Sequence, residues 1–256
     1  RTIYYIKFCY LEKSLQDDVM KVLLVTTWNN RLYQEYGHRF QSTYNWEFPY
    51  VVYNEDGTMF DSIPDLKKFV DRNHHRDPKN FLTDGVRFSY KVYAYTHAIL
   101  TEENFDYIIG IDADSVFFKP MPLEVVKDKL HRPDAMMTYM GRGNQYSECG
   151  FLGFNMHHPE IKNFAREMKR MYDEDEIYKL IEHHDSFVWD YVREKFELER
   201  GIKNINIGDG GNGHIQARCV LAEYYDHTKG PKRKSYGFST ENNSAKLKRL
   251  EAMRRK

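Results

Sequence analysis

The apolar run from Phe105 to Ile111 (FDYIIGI) stops abruptly on Asp112-Ala113-Asp114, and that junction constrains the chain more than any other feature. A short, continuous run of this kind is what a strand buried on both faces of a parallel sheet requires. Two carboxylates cannot follow it into an apolar interior, so they belong at the exit of the strand. In open α/β sheets that rim is where ligands collect. Along an extended segment residues 112 and 114 point to the same side, where both can meet one divalent ion, or one ion and a ribose. The plainer alternative is a pair of solvated loop acids, so the surrounding sequence has to decide.

The surroundings repeat the same logic. Val22 to Thr27 (VLLVTT) is another buried-strand run, ending in the polar Trp28, Asn29 and Asn30, and a helix is expected over about residues 31–44. Residues 48–54 (FPYVVYN) read as a second strand closed by Glu55, Asp56 and Gly57, after which Pro64 opens a charged helix to about Arg72. Between Asp84 and Leu100, Val86, Tyr90, Tyr93, Ala94, His97 and Ala98 recur at helical spacing, and Arg87 and Lys91 share another face as an i, i+4 pair. Farther on, strands are expected over 135–140, 150–155 and 203–207, and helices over 159–172 and 186–196. The order is α/β, a mixed but mainly parallel sheet flanked by helices.

With 256 residues, 41% of them hydrophobic, the chain suits one sizeable domain. Formal net charge is zero, but from Lys229 onward ten basic residues face only Glu241 and Glu251, so that end carries about +8 and the rest the balancing negative charge. Three scattered cysteines (Cys9, Cys149, Cys219) offer neither a disulfide framework nor a C-x-x-C metal spacing, which points to a reducing, cytoplasmic setting. No run of eighteen apolar residues is present, and Lys7, Glu12 and Lys13 interrupt the apolar start. The expected organisation is residues 1–19 as an appendage or an extra packed element, 20–237 as the domain, and 238–256 as a basic, mobile tail. The paired histidines 74–75, 157–158 and 183–184 suggest surface or supporting groups, because adjacent residues point apart.

Several segments together carry a family resemblance. IIGIDADSVFFKP (108–120) resembles the D-x-D segment of GT-A glycosyltransferases, including the glycogenin and lipopolysaccharide galactosyltransferase group. VLLVTTWNN resembles their first nucleotide-binding strand and loop, RFSYK (87–91) the basic helix ahead of D-x-D, and CGFLGFN (149–155) the acceptor-side strand. HTKGPK (227–232) resembles the H-x-x-G-x-x-K element, one residue short before Lys232. The resemblance implies a GT-A, Rossmann-like fold and a nucleotide-sugar donor, UDP-linked first of all. It also implies Mn, or Mg, held by Asp112, Asp114 and His227, a ligand set whose mixed chemistry suits Mn slightly better. Asp112 would also touch the ribose. Thr26, Thr27, Trp28, Asn29 and Tyr33 would line the nucleotide, with Trp28 or Tyr33 stacking on the base. Arg87, Lys91, Gly230 and Lys232 would hold the diphosphate.

On the acceptor side Asp185 is the first candidate for a general base and Glu148 the second. Asp185 stands equally where an N-cap belongs. The H-x-x-G-x-x-K likeness leans towards retention, in which case no such base is needed. For Arg87 and Lys91 the alternative is a solvated helix face, and for Trp28 and Tyr33 core packing. A compact chain of this kind is similar to glycosyltransferases of tailed bacteriophages, some of which decorate hydroxymethylated DNA bases. The basic end would then follow phosphates around a flipped base. Two other readings compete. Asp112 to Val116 also fits the D-x-D-x-[TV] motif of haloacid-dehalogenase-type phosphatases, with Gly208 to Gly213 approaching their later metal loop. A non-enzymatic nucleic-acid or membrane-surface binder would explain the basic end alone.

Overall fold

Each apolar run becomes a strand because both of its faces find cover. A computed structural model describes residues 19–247. Within them the strands are β1 (Val22–Trp28), β2 (Tyr50–Asn54), β3 (Tyr107–Ile111), β4 (Ser115–Phe117), β5 (Ala135–Met140), β6 (Glu148–Asn155), β7 (Lys203–Asn206) and β8 (Tyr225–His227). Six form one sheet in the order β2-β1-β3-β6-β5-β7. β6 alone runs against the others, so the sheet is mixed and mainly parallel. β4 and β8 form a separate antiparallel pair.

Alternation divides the strand residues between two cores. Leu23, Val25 and Ile108 face the helices Pro64–Asn73, Gly85–Thr101, Ile161–Asp173 and Asp185–Arg200. Val22, Leu24, Tyr107, Ile109 and Ile111 face Phe40, Phe117, Ile215 and Tyr225 on the other side. Ile108, Ile109 and Ile111 are fully buried, each contributing about 1.5–3 kcal/mol by leaving water. The long helix before β3 approaches the sheet closely because Gly110 has no side chain: a Cβ there would lie 2.4 Å from the Tyr95 ring.

The expected elements recur with shifted ends. The helix expected over 31–44 contains a π-helical stretch, Tyr33–Gly37, between α-helical Asn30–Leu32 and His38–Thr43. The strand expected from 150 starts at Glu148. β4, β8 and the short helix Pro231–Tyr236 have no counterpart in the sequence reading, since three-residue strands show no periodicity. The segment after Gly237 is not a free tail as far as it is described. Ser239, Asn242 and Ala245 are buried, and Ser239 Oγ donates to the His227 carbonyl at 3.1 Å. The appendage at 1–18 and residues 248–256 lie outside the described residues.

Candidate metal and donor site

β3 delivers Asp112, whose N–H donates to the Gly150 carbonyl of neighbouring β6 at 3.1 Å. The segment beyond it is not extended, as alternation had suggested. The Ser115 N–H closes on the Asp112 carbonyl at 3.2 Å, a turn that swings the chain out of the main sheet into β4. Both carboxylates still converge, because β4 pairs with β8 and sets Ser115 opposite His227. Thr228 completes the clasp: its N–H and hydroxyl donate to the Asp114 carbonyl at 2.9 and 2.6 Å.

The result is a carboxylate–carboxylate–imidazole cluster. His227 Nε2 lies 3.0 Å from Asp114 Oδ1 and 3.4 Å from Asp112 Oδ2. One ligand atom from each of the three residues falls within 4.8 Å of the others. Hard oxygens with one imidazole suit a divalent ion such as Mn. His227 Nδ1 is buried without a hydrogen-bond partner and faces Glu148 Oε1 at 3.9 Å, as the outer nitrogen of a metal-ligating histidine commonly faces a carboxylate. The residues therefore fit a metal. Burial disfavours the His227 cation, but Asp114, Asp112 and Glu148 outweigh it and push its pKa up to about 10. Burial would raise Asp112 and Asp114; Lys91 and His227 hold Asp112 down instead, and His227 does so for Asp114.

A ring of cations surrounds the cluster. Lys91, expected at the diphosphate, is engaged on three sides: Asp112 Oδ1 at 2.7 Å, Asp185 Oδ2 at 2.6 Å and the Cys149 carbonyl at 2.8 Å. Its former helix companion Arg87 is exposed, its guanidinium 5.5 Å from the Phe88 ring. The two cations therefore part, one inward and one to solvent, because only Lys91 lies over the end of β3. At the other side Lys232 is exposed, and Lys234 is the lysine that reaches in, 3.2 Å from Asp114 Oδ2 and 4.1 Å from the centre of the Tyr36 ring. Gly230 has φ 84° and starts the helix that carries Lys234 inward. The spacing from His227 to a lysine is thus longer than the sequence element suggested, and no local pattern marks Lys234.

Asp185 and Glu148 both border the cluster, each in an ion pair. Asp185 does not cap its helix: the His184 side chain accepts from the Phe187 N–H, and Asp185, the first helical residue, goes to Lys91. Glu148 is 2% exposed and takes Lys229 Nζ at 3.0 and 2.9 Å, with Arg142 at 3.6 Å. Burial would raise its pKa, but Lys229, His227 and Arg142 hold it down.

At the end of β1, Thr26 is buried and its hydroxyl lacks a partner, while Asn29 Nδ2 donates to Glu55 at 3.0 Å. Thr27 also hydrogen-bonds Glu55, whose pKa burial raises. Trp28 and Tyr33 lie 5.9 Å apart, Trp28 leaning on buried Phe40 and Tyr33 hydrogen-bonded to Gln41. Both stay partly exposed, Trp28 at the end of β1 and Tyr33 at the start of the π-helical stretch. Tyr36 was absent from the sequence reading, which named Glu55 only as the end of a strand. Cys149 and Cys219 are buried free thiols, and among the described residues no helix is long and apolar enough to cross a membrane.

No family model and no curated protein matches the chain. Among solved structures it is similar to a glycosyltransferase involved in the glycosylation of the major capsid of PBCV-1, with TM-score 0.48, 10% identity, and coverage of 84% of this chain and 99% of that one. It is also similar to the glycosyltransferase GlyE of Streptococcus pneumoniae TIGR4, with TM-score 0.41, 13% identity, and coverage of 67% and 43%. The bifunctional glycosyltransferase WbbM superposes with TM-score 0.44, 10% identity, and coverage of 90% and 51%. Superpositions this loose carry no functional weight, which rests on the site itself.

Proposed function

We propose that this chain is a metal-dependent glycosyltransferase that moves a sugar from a nucleoside diphosphate donor to a hydroxyl acceptor. The observation that carries the reading is the convergence of Asp112, Asp114 and His227 at the exit of β3, with Lys234 against the same carboxylates. Asp112, Asp114 and His227 would hold the ion, Mn in preference to Mg. When bound, the ion offsets the charge that grows on the departing diphosphate. Lys234 would add a donor to that diphosphate in the place first given to Lys232. Trp28, Tyr33 and the Thr26–Asn29 segment would receive the nucleotide, with UDP the first candidate.

Lys91 ties Asp112 to Asp185 and so positions the metal carboxylate, a role different from phosphate binding. Glu148 is a poor general base because its cationic neighbours stabilise the carboxylate. It would instead accept a hydrogen bond from a hydroxyl, or from His227 Nδ1 once Nε2 is on the metal. The phosphatase reading is not favoured, because Asp209 of the glycine-rich loop pairs with Arg218 at 2.6 Å and not with the cluster.

The test is thermal stability with a panel of nucleoside diphosphates, with and without Mn. A diphosphate at a hundred times its Kd stabilises by about 2.7 kcal/mol. One that does so only with Mn, and not in Asp114→Ala, supports the reading. No response from any of them would sink it.

A further inference from the structure

A pocket of about 540 Å³ opens between the loop entering β6 and the first turns of the Asp185–Arg200 helix. Its size falls within the roughly 300–1,000 Å³ usual for small-molecule sites. Asn144 and Tyr146 line one wall, and Phe187, Tyr191 and Glu194 the other, with Glu182 at the rim. The two walls are tied together: Ser147 Oγ donates to Asp190 at 2.7 Å, and the Tyr146 and His184 rings meet at 4.3 Å. On the β6 side Arg142 links the pocket wall to Glu148: its Nε donates to the Tyr146 carbonyl at 2.7 Å and its Nη1 lies 3.6 Å from Glu148. Asp185, two residues before Phe187, turns away to Lys91, so a ligand seated here borders the segment that carries Glu148.

We propose that this pocket is the acceptor subsite and that its occupant is an uncharged, hydroxyl-rich sugar rather than a nucleic acid, an assignment that rests on the glycosyltransferase reading. Three aromatic rings supply flat apolar surfaces for the C–H face of a sugar ring, and the carboxylates and amides around them accept or donate to its hydroxyls. No lysine or arginine lines the pocket, so nothing there pairs with a phosphate. A cationic ligand is favoured less, because two of the lining acids, Asp190 and Glu194, are already countered from inside the protein. Buried Arg193 takes Asp190 and Glu194 at 3.0 Å each, and His184 Nε2 lies 2.6 Å from Glu182. What remains is hydrogen-bonding capacity with little net field. Of the described basic residues after Gly213, Lys229, Arg233 and Lys234 turn to Glu148, Glu241 and Asp114.

The experiment uses the full chain and saturation-transfer NMR without nucleotide. The probes are methyl glycosides of glucose, galactose, mannose and xylose, and a duplex oligonucleotide containing 5-hydroxymethylcytosine. At least one glycoside should bind, and Tyr191→Ala should weaken it about tenfold, as loss of an aromatic anchor does. Tyr191 is 44% exposed, so its loss leaves no core cavity. Glu182→Ala gives a second, independent reading of the same pocket. Stabilisation by UDP and Mn should be unchanged in both variants. Absence of binding by every glycoside, or binding that survives both substitutions, would overturn the proposal. So would oligonucleotide binding weakened by the same changes. If glycosides bind as expected but no nucleoside diphosphate with Mn stabilises the wild-type chain, the sugar site stands while its acceptor role falls with the transferase reading.

Discussion

Gly150→Ala should disable the metal site without touching a ligand. A Cβ on Gly150 would stand 2.4 Å from both Cε1 and Nδ1 of His227, where ordinary contacts begin at 3.4 Å. The ring must retreat by about 1 Å, yet it is 1% exposed and its backbone is fixed opposite Ser115 by the β4–β8 register. A metal–nitrogen bond of about 2.1 Å does not survive such a shift. The loss of Mn affinity should at least match the roughly 10–100-fold typical of disturbed supporting groups, or about 1.4–2.8 kcal/mol. Overpacking should also cost about 1–3 kcal/mol of stability. Mn titration followed by electron paramagnetic resonance measures the first effect and urea unfolding the second. His227→Ala removes both the ring that the methyl strikes and the cation shared by Asp112 and Asp114, so it costs stability by itself, but the two substitutions together should cost less than the sum of their separate costs, with Mn binding lost. Wild-type Mn affinity in Gly150→Ala, or stability losses that simply add, would refute the reasoning.

Other outcomes follow from the same geometry. Lys91→Met leaves Asp112 and Asp185 without their shared cation and should cost about 3–5 kcal/mol in urea unfolding, with Asp185→Asn recovering part of it. Lys234→Ala should weaken UDP binding in the presence of Mn by about tenfold or more, whereas Lys232→Ala should leave it near wild type. Equal effects of the two in calorimetry would count against Lys234. The His227 pKa is raised in the folded chain, so its cation stabilises fully below the unfolded value near 6.5 and progressively less as pH climbs to about 10. The melting temperature of the chelator-treated protein should therefore fall from pH 7 to 10, and less steeply in His227→Gln. Mn must displace that proton, so its affinity should rise about tenfold per pH unit over the same range.

Much of the fold was legible because it is local. β1 and β3 are uninterrupted apolar runs, and Val86, Tyr90 and Tyr93 mark their helix by spacing alone. The placement of Asp112 and Asp114 at a strand exit followed from the incompatibility of carboxylates with an apolar interior. Helix-surface arguments did less well. Arg87 and Lys91 are the same residue class at i, i+4, yet one is solvated and the other sits among Asp112, Asp185 and a carbonyl, a difference set by what packs above each. Asp185 and His184 exchanged the capping role for a similar reason, since Lys91 offers Asp185 a partner that no reading of its own helix contains.

The sequence by itself determined that strands and helices alternate, which residues lie inside, and that two carboxylates end a central strand. Short-range sterics and the transfer of apolar side chains from water suffice for that. The family resemblance already grouped His227 with Asp112 and Asp114; only the tertiary structure gave the β4–β8 pairing that seats it there, brought Lys234 in where Lys232 is exposed, and set the Tyr146 loop against the Tyr191 helix. Those contacts depend on a three-residue pairing, a glycine without a Cβ, and the angle at which a short helix leaves Gly230. Each is a relation between distant segments, and its energy exists only once both are in place.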